Sequence, residues 1–163
     1  MESDAFRAFA SSAIHDRYAI VEAPSHPDAL KLLAFWDARP ADGIVMGRDI
    51  PSRAVARLLS GILISEPIDG RSDFRVRLAG ASLRKRFGRD VKGLKLSEMF
   101  SPAEFQDHLK TGLMAIESCK PFVIDSRLIA GTVEQMHLEV VQFPVIAPDR
   151  KSKWLLVGLF YLN

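Results

Sequence analysis

Residues 61–93 read GILISEPIDGRSDFRVRLAGASLRKRFGRDVKG, and this stretch decides the fold. An apolar run over 62–67 meets an Asp69-Gly70 turn signal. The alternating segment Asp73–Ala79 follows, so the two form a hairpin. Its loop, 69–72, is longer than a two-residue turn, which leaves the turn type open. Gly80 punctuates, Ala81–Phe87 is a short basic helix, and Phe87-Gly88-Arg89-Asp90 closes it before Gly93. A hairpin followed by short helices is not the strand, glycine loop and long helix of a dinucleotide-binding unit.

Working outward, the next segments are helical or strand-like in turn. Ser101-Pro102-Ala103-Glu104 is a capping box with proline at the first helical position. It starts a helix to about residue 118 that buries Phe105, Leu109, Gly112 and Ile116. Glycine costs that helix about 1 kcal/mol against alanine, so Gly112 marks a close approach. Three strands complete the chain. Phe122–Ala130 alternates, Gly131-Thr132 turns, and Val133–Ile146 carries Met136, Leu138 and Val140 on one face. Residues 154–162 are almost continuously apolar, which predicts a central strand covered on both faces.

Before the hairpin, Ser25 is the expected cap of a helix with Pro27 in its first turn and Ala29, Leu32, Leu33 and Trp36 at helical spacing. Asp49, with Pro51 after it, is the expected cap of a second helix reaching Leu59. Residues 1–24 form an N-terminal extension in which Phe6, Phe9, Ala10 and Ala13 fit a helical stripe. Residues 25–163 form one domain with its lead-in helices.

Composition narrows the function classes. A hydrophobic share of 48% and a charged share of 26% describe an ordinary globule. No apolar run reaches the roughly 18 residues of a bilayer span. Acidic residues in MESDAFRAF stand where a signal peptide needs basic ones, so the expected compartment is the cytoplasm. One cysteine, Cys119, excludes an intrachain disulfide and is expected to be buried and inert.

The net charge of +2 hides an asymmetry. Residues 71–95 carry nine Lys/Arg against two Asp, and 96–149 carry three against eight acidic residues. Arg75 and Arg77 share one strand face, with Phe74, Val76 and Leu78 on the other. A solvated face is the plain reading, and a docking surface for an acidic partner the sharper one. Nucleic acid is disfavoured, because few aromatics interleave with the basic residues.

The order of elements resembles the PAS domain, an α+β fold with a five-stranded antiparallel sheet and short helices on one face. Trp36-Asp37-Ala38-Arg39, Gly43 and Arg48-Asp49-Ile50-Pro51 are similar to the lead-in region of short stand-alone alphaproteobacterial PAS proteins. So are the segment from Asp73 to Gly80 and Phe87-Gly88-Arg89-Asp90-Val91-Lys92-Gly93. The resemblance implies a non-catalytic sensor or adaptor in bacterial signalling. It would bind a small apolar ligand, a regulatory protein such as a sensor kinase, a second copy of itself, or several of these. No kinase, cyclase or helix-turn-helix output segment is legible in the chain.

The expected ligand pocket is lined by Phe87, Met99, Phe105, Leu109, Met136 and Phe160. The expected partner or dimer surface is Phe6, Phe9, Leu32, Trp36, Arg75 and Arg77. No cofactor is named by the residues. His108 lies about 60° off the apolar stripe of its helix, which argues against a haem ligand. Cys119 lacks the neighbours of a flavin adduct site, and no catalytic or metal motif occurs. The alternative class is a small isomerase-like enzyme with a curved sheet and apolar pocket. It would need a buried acid, for which Asp125 and Glu139 are the strand carboxylates.

Overall fold

The computed structural model describes residues 14–130 and 133–162. Its elements are β1 (Ile14–Val21), α1 (Pro27–Asp37), β2 (Ile62–Ile68), β3 (Asp73–Ala79), α2 (Ala81–Phe87), α3 (Leu96–Met99), α4 (Pro102–Ser118), β4 (Phe122–Ala130), β5 (Val133–Ile146) and β6 (Lys153–Tyr161). The strands form one antiparallel sheet in the order β1-β4-β5-β6-β2-β3. The α+β fold with short helices is the expected one, and it gains a sixth strand. Segment 14–21 of the N-terminal extension is that strand, paired with β4 from Ile14↔Ile129 to Val21↔Val123. Phe6 and Phe9, with their helical stripe, lie outside the described residues.

Each sheet face has its own core, because strand side chains alternate. On one face Leu63, Leu138, Val140 and Leu155 meet Leu83, Phe87, Met99 and Ile116 of α2, α3 and α4. On the other, Ile64, Val141, Phe143 and Leu156 meet Ala29, Leu32 and Trp36 of α1 and the segment 44–58. The central strand β6 feeds both, which explains its unbroken apolar run.

Two glycines set the layer spacing. A Cβ on Gly112 would stand 2.9 Å from Leu155 Cδ2 and 3.2 Å from the Phe74 ring, so α4 sits directly on the sheet. A Cβ on Gly158 would stand 2.5 Å from Leu32 Cδ2, so α1 does the same on the opposite face.

Several local expectations change. The cap of α1 is His26, whose Nδ1 accepts from Asp28 N at 3.0 Å. Ser25 instead donates its N–H and hydroxyl to Glu139. The helix expected from Asp49 to Leu59 is a run of turns ending in one 3-10 turn, Leu59–Gly61. The Asp49 carboxylate reaches back to Val45 N at 2.7 Å, closing a local loop in place of a helical turn. Val45, Met46, Ile50, Val55 and Leu58 are still buried, so their apolar character reported burial and not helix. In β3 the pairing shifts between Ile64↔Leu78 and Ser65↔Val76. That bulge takes Leu78 off the face of Phe74 and Val76, opposite Ile64, and leaves it 44% exposed.

Candidate ligand cavity

Between the sheet and α2–α4 lies a small cavity of about 30 Å³. Leu63, Leu155, Val157 and Leu159 of the sheet and Leu96 and Phe87 of the helices supply its apolar lining. Its remaining walls are polar or aromatic: Ser65 of β2, Gln142 of β5, Arg86 of α2, Phe100 and His108. Ser65 shares a face with Leu63, and Gln142 shares one with Leu138 and Val140, so both point into the apolar layer. They are 0% and 2% exposed.

The Arg86 side chain belongs to the same layer. Gly88, left-handed at φ 71°, ends α2 just after Phe87, and within that short helix Arg86 turns inward while Arg84 and Lys85 stay exposed. Its guanidinium lies 4.5 Å from the Phe87 ring centre and 5.8 Å from that of Phe100. Its Nη2 is 3.4 Å from Glu104 Oε1, and both side chains are essentially removed from solvent. Glu104 Oε1 is also 3.5 Å from His108 Nε2. The His108 ring packs 4.5 Å from Phe100 and edge-on to Tyr18 at 5.7 Å.

Tyr18 comes from the sixth strand, and Thr111 Oγ1 stands 2.7 Å from its hydroxyl. Burial pushes the Tyr18 hydroxyl well above the usual phenol range, against the opposing hydrogen bond from Thr111. β1 therefore closes the side of the polar cluster that a five-stranded sheet would leave open.

Three of the residues that line the cavity each carry a buried polar atom with no hydrogen-bond partner among the described residues: Ser65 Oγ, Gln142 Nε2 and Arg86 Nε. A buried donor left without an acceptor costs roughly 1–3 kcal/mol. Three of them among the lining residues leave hydrogen-bonding capacity that a polar group in the cavity would take up.

Of the six residues expected to line a pocket, Phe87 does so. Met99 is buried in the same core, and Phe105, Leu109 and Met136 pack half-buried against it, away from the cavity. Phe160 belongs to the opposite face, where its ring lies 5.4 Å from His26. The alternation that put Phe160 on β6 could not say which face α4 would cover.

Leu32 and Trp36 are not a surface. They are 0% and 6% exposed, and Trp36 packs 5.0 Å from Phe143 of its own sheet with Arg39 stacked on it. Arg75 donates to Gly93 O at 2.8 Å, and Arg77 to Glu66 at 3.0 Å while lying over Trp154. The two arginines do border an open groove of about 580 Å³ with Leu78, Lys92 and Trp154.

Cys119 is exposed, against expectation, because α4 ends on it in a left-handed turn with Lys153 Nζ 2.7 Å from its sulfur. Glu139 is buried, and it accepts from Ser25 N at 2.8 Å and His26 N at 2.6 Å. It ties α1 to β5. Asp125 pairs with His137 at 3.1 Å and Arg17 at 3.4 Å. Neither carboxylate faces the cavity.

Ser65, Gln142, Arg86, Glu104 and His108 are the residues that sequence reasoning missed as a group. A signal existed for two of them: each is a polar residue at an apolar parity position of a strand.

The PAS domain family model matches residues 24–160. The chain belongs to the PAS family. PAS domains are sensor modules of signal transduction and are generally not catalysts, and the cavity between sheet and short helices suits such a module. No curated protein matches this PAS domain. A cavity of about 30 Å³ does not fit a haem or a flavin, and the His108 ring nitrogen is turned to Glu104. Among the described residues no three His, Cys, Asp or Glu side chains gather to hold a metal. Nor is any described helix long and apolar enough to cross a membrane.

Proposed function

We propose that this PAS domain is a non-catalytic cytoplasmic sensor or adaptor of bacterial signalling that binds a small molecule in the cavity between the sheet and α2–α4. One observation carries the reading: Ser65, Gln142 and Arg86, each with a buried, unpartnered polar atom, line one cavity between the sheet and the helices. Ordinary cores avoid such groups, because each is costly unless something pairs with it. Occupancy would be felt by α2, Phe100 and α4 together, since all three contribute walls.

The signal would leave through protein contact. The groove bordered by Arg75, Arg77, Leu78 and Lys92 supports an acidic regulatory partner such as a sensor kinase by charge and by its exposed leucine. A homodimer remains part of the proposal, with Phe6 and Phe9 as its anchors. Native mass spectrometry of gently purified protein tests the sensor reading. A retained small molecule supports it, and its absence across hosts and growth conditions counts against it.

A further inference from the structure

We infer that the ligand of this cavity is an uncharged molecule that presents one acceptor oxygen, such as a ketone, ester or amide carbonyl, on a compact apolar body. The inference rests on the sensor reading above and names its ligand class.

The donors set the head group. Arg86 Nε carries an N–H, Gln142 Nε2 carries two, and the Ser65 hydroxyl can donate. All three atoms are buried, their residues line one cavity, and none has a partner among the described residues. An oxygen acceptor is the complementary group. A ligand ammonium would leave the Arg86 Nε and Gln142 Nε2 N–H groups without an acceptor.

Charge decides between a carbonyl and a carboxylate. Arg86 is the obvious attraction for an anion, but Glu104 already faces its guanidinium at 3.4 Å from inside the same layer. A ligand carboxylate would add a second negative charge to a balanced buried pair. Uncompensated charge in such a place is strongly unfavourable, whereas a neutral oxygen keeps its hydrogen bonds without that penalty.

Size places the body. The cavity of about 30 Å³ holds little more than the head, roughly one water's share of volume. Phe100 is the wall that can yield: it is half-buried and sits between α3 and α4, outside both helices. Its ring lies 5.5 Å from Phe87 and 4.5 Å from His108. A ligand body the size of one ring would take its place between them.

Three probes that share one phenyl ring separate the possibilities on the full chain: acetophenone, benzoate and toluene. Titrations are followed by the side-chain ¹⁵N–¹H resonances of Gln142 and Arg86 Nε and by thermal stability. Acetophenone should bind saturably and move both resonances, at least tenfold tighter than benzoate or toluene. Gln142→Leu should weaken acetophenone about three- to tenfold, the loss of one hydrogen bond, without lowering the stability of the unliganded protein. Phe100→Ala should tighten it.

Benzoate binding as tightly as acetophenone overturns the neutral head, and toluene doing so overturns the role of the donors. Failure of all three probes overturns the inference. The sensor reading then stands or falls on the retained molecule: an anion or a hydrocarbon keeps the sensor and rejects this ligand class, and no molecule at all rejects both.

Discussion

Glu139 offers a sharp test, because its buried carboxylate joins the lead-in helix to the middle of the sheet. It is 4% exposed and lies at the N-terminal end of α1. It accepts from His26 N at 2.6 Å, from Ser25 N at 2.8 and 3.0 Å, and from Ser25 Oγ at 3.1 Å. Hydrogen bonds to a charged acceptor contribute about 1.5–3 kcal/mol each. The two backbone donors together thus give a gross 3–6 kcal/mol. Ser25 is exposed and can turn its donor to water, whereas His26 N is less able to. Discounting the Ser25 share, Glu139→Leu should cost about 2–4 kcal/mol.

Glu139→Gln keeps an acceptor for His26 N and loses the charge, so it should cost about 1–2 kcal/mol. At this chain length 1 kcal/mol moves Tm by about 2–4 °C, so the leucine variant should melt at least about 4 °C lower. Urea unfolding with wild-type and variants side by side measures both costs. A leucine variant within about 0.5 kcal/mol of wild type would refute the anchoring role. A glutamine variant as damaged as leucine would show that charge, not hydrogen bonding, does the holding.

The other expectations follow from the same packing. Trp36→Ala should destabilise by about 3–5 kcal/mol through the cavity left against Phe143 and leave the molar mass in light scattering unchanged, whereas a change of mass would restore Trp36 to an interface. Gly112→Ala sets a helix gain of about 1 kcal/mol against overpacking on buried Leu155 and Phe74 of about 1–3 kcal/mol, so denaturation should show a net loss, and a gain would mean α4 stands off the sheet. Tyr18 keeps its proton in the folded state above the pH, near 10.0, where the unfolded chain loses it. Stability should therefore fall as pH rises past 10, and less so in Tyr18→Phe, by equilibrium unfolding at pH 8 and pH 11. Tyr161, also pushed up by burial, keeps part of that fall in the variant.

Much of the fold was legible because the signals are local. Ser101 through Glu104 start α4 where their capping chemistry says, and the alternation of Asp73–Ala79 and Val133–Ile146 marks strands. Gly112 announced a close approach, and Leu155 and Phe74 are what approaches. Less of the site was legible. The pocket residues expected from apolarity are mostly filled core, and those that line the cavity with unpaired groups are polar. Arg86 read as one more charge in a basic run, since nothing in Arg84-Lys85-Arg86 says which of three neighbours turns inward.

By itself the sequence determined the order of strands and helices from β2 onward, the ends of the long helix and the double-sided burial of β6. Those depend on backbone chemistry and on which side chains share a face of their own element. Only the tertiary structure decided what each face meets. β1 is a strand because β4 offers it an open edge, Leu78 leaves its face because of a bulge two strands from the centre, and Trp36 is core because Phe143 lies under it. The cavity is the extreme case. Ser65, Arg86 and Gln142 stand as far as 77 positions apart in the chain. Only the folding of the sheet against α2–α4 brings these three residues onto the lining of one cavity.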